Sequence, residues 1–288
     1  MAAPERRRGG VPIWVPLGLL ALTAGVLAGK LGTETHAAGV SVIDVQSFDL
    51  RIRRGWMLPD WEARLANFLA RADDLSAHDR DQIEALAQEL EGLSFVAEVG
   101  VPEVIWPDGL SLPVRLHIPA ANIRVGSAFL IVSEEGVVLA GASSTPHAAF
   151  GLPLPVLGPL DGSCDSLRAG DSLQRADMID ALATARSMWQ HLNVDLLADL
   201  GRVMIDASDA EAPDGFEGGV RIDLEGRRRI QFGRAARGDP AGELPVAMKW
   251  HSVARGIQEL RAGGDWDLLD VRWDQPDVHL RVSGETPR

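Results

Sequence analysis

The chain has 288 residues, 46% hydrophobic and 24% charged, with a formal net charge of -13. That much apolar side chain builds one large domain or two small ones, while the acidity argues against a nucleic-acid binder, which needs a basic surface to meet phosphate. The one cysteine, Cys164, leaves no internal disulfide, so packing alone must hold the fold.

The N-terminus departs from this composition. "ERRRGG" at 5–10 precedes "VPIWVPLGLLALTAGVLAG" at 11–29, which carries no charge. A run of that length spans the ~30 Å hydrocarbon core of a bilayer. Arg6, Arg7 and Arg8 stay on the cytoplasmic side, which puts everything after Lys30 outside. The reading is a cytoplasmic tail over 1–10 and one transmembrane helix over 11–30. The rival is a cleaved signal peptide, for which "THAA" at 35–38 is a poor cleavage site. Both readings take the bulk of the chain out of the cytoplasm.

The exported part opens with "GVSVIDVQSFDLRI" at 39–52, whose β-branched residues, Val40 and Val42 among them, predict a strand. In "PDWEARLANFLARADD", Trp61, Leu65, Phe68 and Leu69 recur at helical spacing. A second helix follows, with Ser76 and Asp79 resembling a capping box, Ile83, Leu86, Ala87 and Leu90 as its buried stripe, and Gly92 as its stop. Next comes a hairpin with its turn at "PDG", 107–109. Leu110, Leu112, Val114, Leu116 and Ile118 alternate on its buried face, with Ser111, Arg115 and His117 opposite. Pro113 predicts an edge strand or a bulge. Strand, helix, helix, strand, strand makes a three-stranded sheet covered by two helices.

"AFLIVSEEGVVLAG" at 128–141 is a second hairpin, turning at Glu135-Gly136. The Gly/Pro-rich "FGLPLPVLGPLDG" at 150–162 reads as a linker. A helix near 175–192 carries Met178, Leu182, Ala185, Trp189 and Leu192 on one face. "GRVMIDAS" reads as a strand, and 218–234 as a hairpin turning near Glu225-Gly226. The helix over 244–262 has Val246, Trp250, Val253, Ile257 and Leu260 as its stripe. Two strands in "LLDVRWDQPDVHLRV", 268–282, close the chain before a frayed tail at 283–288. The fold class is α+β, its second half a mainly antiparallel sheet flanked by two helices.

Chemistry is sparse. No glycine-rich phosphate loop, nucleophile elbow or His-Glu-x-x-His occurs, and neither His36 nor His147 has a ligand at metal spacing. "GSCDS" at 162–166 reads as a small polar loop. The arginines of "EGRRRIQFGR", 225–234, could receive an anion or decorate a solvated turn. Trp61, Trp189 and Trp250 lie on helix stripes and read as core, whereas an exposed tryptophan among Trp106, Trp266 and Trp273 would mark a binding hot spot. No catalytic, metal-binding or cofactor-binding residue is expected, and no cofactor or small-molecule substrate.

The order of parts, with "VPEVIWPDGLSLPVRLHIPAANI", "FLIVSEEGVVLAG", "LPLPVLGP", "RIQFGR" and "LLDVRWDQPDVHLRV" in sequence, resembles the bitopic cell-division proteins of the FtsQ/DivIB family. Leu116-His117 stand where that family has Glu-Arg, and the loops at 162–176 and 208–219 depart from its pattern. The resemblance implies a polypeptide-transport-associated (POTRA) domain over 39–120 and a family-type β domain over 121–282. It implies a scaffold, not an enzyme, in the bacterial plasma membrane at the division site. Its partners would be membrane proteins of the FtsB/FtsL type, held by strand addition at the last strand, and it would help regulate septal peptidoglycan synthesis. The partner surface would fall on Arg234, Arg272, Trp273, Asp277, Val278, His279, Leu280, Arg281 and Val282. The alternative is a POTRA-type chaperone or assembly factor of the cell envelope.

Overall fold

The computed structural model describes residues 48–52, 57–70, 79–105, 109–149, 151–158, 164–210, 218–237, 242–263, 266–273 and 277–280. The expected membrane span at 11–30, the rival cleavage site, Val40, Val42, Ser76, Trp106, Arg281, Val282 and the tail at 283–288 lie outside these. Among the described residues no helix is long and apolar enough to cross a membrane.

The first module runs β1 (Phe48–Ile52), α1 (Pro59–Leu69), α2 (Arg80–Glu91), β2 (Val96–Val99), β3 (Glu103–Ile105) and β4 (Gly109–Leu116). α2 is capped by Asp79, whose carboxylate accepts the Gln82 N–H at 3.1 Å, and Gly92 ends it in ordinary right-handed conformation, φ -68°. Trp61, Leu65 and Phe68 of α1, Ile83 and Leu90 of α2, and Leu110, Leu112, Val114 and Leu116 of β4 share one apolar cluster. Ile118 is exposed because β4 stops at Leu116, and Ser111, expected on the open row, is buried.

β4 is not an edge. β1 runs parallel along one side of it, and β2 and β3 run antiparallel along the other. Pro113 is tolerated there for a local reason. Its carbonyl accepts the Gly100 N–H at 2.7 Å, and its ring nitrogen faces the same side, where residues 100–102 leave the ladder between β2 and β3. The missing donor therefore falls opposite a gap.

At Pro119 the chain enters a second sheet through β5 (Pro119–Val125), β6 (Ala128–Ser133) and β7 (Val138–Ser143). A small hairpin, β8 (Ala148–Ala149) and β9 (Leu152–Pro153), leads to β10 (Val156–Gly158). Then come α3 (Ala176–His191), α4 (Val194–Leu200), β11 (Val203–Asp206), β12 (Val220–Leu224), β13 (Arg229–Gly233), α5 (Val246–Arg261), β14 (Trp266–Asp270) and β15 (Asp277–Leu280). The nine strands stand in the order β15-β14-β13-β12-β11-β10-β5-β6-β7.

One expectation changes here. The expected linker contains β10, fully buried between β5 and β11 near the middle of the sheet. The sheet is mainly antiparallel, as expected, with three parallel pairs, β5/β10, β10/β11 and β13/β14. Helices between the last two of these pairs carry the chain back to start each parallel strand from the same end. α4 is a third helix, which starts on the Asn193 side chain accepting the Leu196 N–H at 2.9 Å.

α3 packs on β5, β10 and β11, α5 packs on β14, and the two helices touch, so both cover one face. Successive strand residues point to opposite faces, and β6 and β7 use both. Val132 and Val138 join the helical layer's core, while Ile131 and Leu139 join the cluster of the first module.

Candidate functional site

The two edges of the nine-stranded sheet are treated differently. At β7, alternate residues turn their backbone N–H and C=O outward, where a free edge would offer them to another strand. Val138 donates to the Asp171 carbonyl and accepts from the Gly170 N–H, both at 2.8 Å. Ala140 accepts from the Trp61 indole Nε1 at 2.7 Å and donates to Ser94 Oγ at 3.0 Å. Trp61 is fully buried and stacks flat on Phe95 with ring centroids 5.0 Å apart. A loop and two side chains of the first module thus seal this edge.

At the other end, β15 pairs antiparallel with β14 through Trp266↔Leu280, Leu268↔His279, Leu269↔Val278 and Asp270↔Asp277. Among the described residues nothing pairs with its outer side. Among the described residues, the backbone of 277–280 is thus the open edge of the sheet.

A buried polar cluster fixes the strands leading to that edge. Lys249, with no solvent exposure, meets Glu243 Oε2 at 2.6 Å and the Arg234 carbonyl at 3.4 Å, and its Nζ lies 4.9 Å from the Phe232 ring centroid. Glu243 also accepts the Arg234 N–H at 3.0 Å, so one residue is held at both its N–H and its C=O. Burial pushes the Lys249 ammonium below its ordinary pKa, Glu243 pulls it back up, and Arg272 and Arg234 add to the depression. Gly233 is required beside them. At φ +81° a Cβ there would sit 2.5 Å from Glu243 Oε2 and 2.7 Å from Arg272 Cγ.

Arg272 makes a bidentate pair with Asp270, Nη2 to Oδ2 at 2.6 Å and Nε to Oδ1 at 2.9 Å. The hydrogen bond that Arg272 donates to Asp270 chiefly holds its pKa above the ordinary value. Its guanidinium lies 5.5 Å from the Trp273 ring centroid, and its carbonyl accepts the Leu244 N–H at 2.8 Å. Beneath, α5 comes close to β14 because Gly256 has no side chain. A Cβ there would lie 2.7 Å from Leu269 Cδ2, and the Trp266 indole donates to the Gly256 carbonyl at 3.2 Å.

The residues assigned by the resemblance separate into kinds. Arg234 is exposed, held only through its backbone. Trp273 is 47% exposed, while Trp266, its neighbour in sequence, is buried. Arg272 is 5% exposed and paired with Asp270, with its guanidinium against the Trp273 ring. Asp277, Val278, His279 and Leu280 form the edge strand. In the arginine-rich turn, Arg229 pairs with Asp223 at 2.7 Å.

Glu243, Lys249 and Asp270 escaped the sequence reading. Two carried a signal. Lys249 stands next to Trp250 on the apolar stripe of α5, and Asp270 and Arg272 are two apart, on one face of an extended chain. No protein-family model matches the chain, and no curated protein matches it.

Proposed function

We propose that the chain is a non-enzymatic, membrane-anchored scaffold of the bacterial division machinery. It holds partner membrane proteins of the FtsB/FtsL type by strand addition at β15 and helps regulate septal peptidoglycan synthesis. Residues 11–30 would be its single membrane span, and a POTRA-like module over 39–120 and a β domain over 121–282 would lie outside the plasma membrane. The observation that supports this reading is the contrast between edges: β7 is sealed at Val138 and Ala140, and β15 has no outer neighbour among the described residues. A partner strand would take its affinity from the backbone groups of 277–280 and its selectivity from Arg234 and Trp273.

The test is co-purification of a coiled-coil, single-span partner with the full chain from co-expressing membranes. Deleting 277–288 is expected to abolish capture with little change in melting temperature, and a fluorescent fusion is expected at the septum. Trp273→Ala should weaken capture by about tenfold, as for an interface anchor of modest weight. Undiminished capture by the deletion variant would end the reading.

One observation favours the alternative, a POTRA-type chaperone or assembly factor. Among the described residues β3 has no neighbour but β4, and Val101, Val104 and Ile105 beside it are 81%, 46% and 44% exposed. That reading predicts that Val104→Lys abolishes capture of unfolded exported chains while the 277–288 deletion leaves it intact.

A further inference from the structure

A cleft of about 740 Å³ opens beside α3, between the β6–β7 turn and the entry to α5. The size falls among small-ligand sites, which combine an apolar lining with a few polar groups. Leu173, Leu182 and Val246 supply apolar lining, and Ile179 is 37% exposed there.

Three of the five charged or titratable groups of the lining are paired within the protein. Arg237 is bound by Asp180 and donates to the Ala176 carbonyl. Glu135 meets His117 at 3.0 Å and Arg115 at 3.8 Å. His191 Nδ1 lies 2.8 Å from the Ser187 carbonyl. Two opposite charges remain, Arg186 on α3 and Glu134 in the β6–β7 turn. Neither side chain makes a hydrogen bond or ion pair with a described residue, and they do not reach each other.

An anion alone would meet Arg186 but face Glu134, and a cation alone would meet the reverse. A ligand with both charges on an apolar spacer would meet both walls. We infer that the cleft binds a short zwitterionic peptide, its carboxylate on the Arg186 guanidinium and its ammonium on the Glu134 carboxylate. Arginine suits the first task because its planar fork takes a carboxylate through two parallel hydrogen bonds. The inference is independent of strand addition at β15, and its readout involves no partner protein.

Calorimetric titration of the full chain with three acetylated, amidated tetrapeptides tests it: Glu-Leu-Ala-Lys, Glu-Leu-Ala-Glu and Lys-Leu-Ala-Lys. The mixed-charge peptide is expected to bind at least about tenfold more tightly than either of the others. Arg186→Glu and Glu134→Lys should each cost about tenfold, and the double swap should restore binding, with the peptide reversed in the cleft. Both side chains are solvent-accessible, so the variants should melt like the parent. Equal binding of the three peptides overturns the inference, as does no binding of the mixed peptide up to about 10 mM. Tightest binding of the doubly acidic peptide, or a double swap as weak as the single variants, also overturns it.

Discussion

β7 and β15 are the two ends of one sheet, yet they meet opposite fates. The outward groups of β7 are taken by Trp61, Ser94 and the loop at 170–171, the two side chains coming from 79 and 46 positions away from Ala140. β15 hangs on β14 alone among the described residues. Unpaired edges template unwanted pairing, and proteins blunt them. Here long-range contacts blunt one edge, and the effort at the other goes into stiffening the strands behind it. Lys249, Glu243, Asp270 and Arg272 brace the approach to β15 without touching its outer side. A rigid support behind an open ladder is the arrangement strand addition needs, because the incoming strand meets a preformed register.

The largest way to break this contrast is at Trp61. Trp61→Ala removes a fully buried ring and should cost about 3–5 kcal/mol by chemical denaturation. Trp61→Phe keeps the stack on Phe95 but loses the donor to Ala140, for about 1–2 kcal/mol. Hydrogen exchange should report the loss locally, as faster exchange of β7 amides. A cost below about 1 kcal/mol for the alanine variant would mean the seal carries no weight.

The next effect lies behind the open edge. Lys249→Met strands the mostly buried Glu243 carboxylate and should cost about 3 kcal/mol. Adding Glu243→Gln removes the stranded charge while leaving an acceptor for the Arg234 N–H, and should recover at least about 1 kcal/mol. Capture of a β15 partner should fall in the single variant and return in the double. A double variant no better than the single would show the pair to be mere packing.

The sequence was most legible where period and burial coincide. The stripes of α1, α3 and α5 and the inner row of β4 were readable because one face of each meets the core and little else competes. β10 was not, because three buried residues between prolines and glycines look the same in a linker and in a central parallel strand. Pro113 pointed to an edge or a bulge, since nothing local tells which, and its neighbour strand breaks opposite it. The site divides the same way. Trp273 and the terminal strand stand out by position, whereas the burial of Arg272 depends on its pairing with Asp270, which no motif announces. The seal at Ala140 had no local signature at all, because its donors lie far away in the chain.

The smallest effect concerns the sealed end and depends on pH. Glu135, in the turn that starts β7, bridges to His117 and Arg115 at the end of the first module. Burial pushes its carboxyl pKa up, but the hydrogen bond from His117, with its own backbone N–H and Ser133, outweighs this and leaves the pKa below 4.5. A carboxyl depressed by folding stabilises while ionised. Its contribution is whole above the unfolded value of 4.5 and disappears as pH falls through the lower folded value. The group is 45% exposed, so solvent screens the pair and the gain should be about 0.5 kcal/mol. Stability curves of the parent and Glu135→Gln, followed from neutral pH into acid, should differ by that amount at neutrality and converge below 4.5. Curves that stay parallel would remove this bridge from the seal and leave Trp61, Ser94 and the 170–171 loop to hold it.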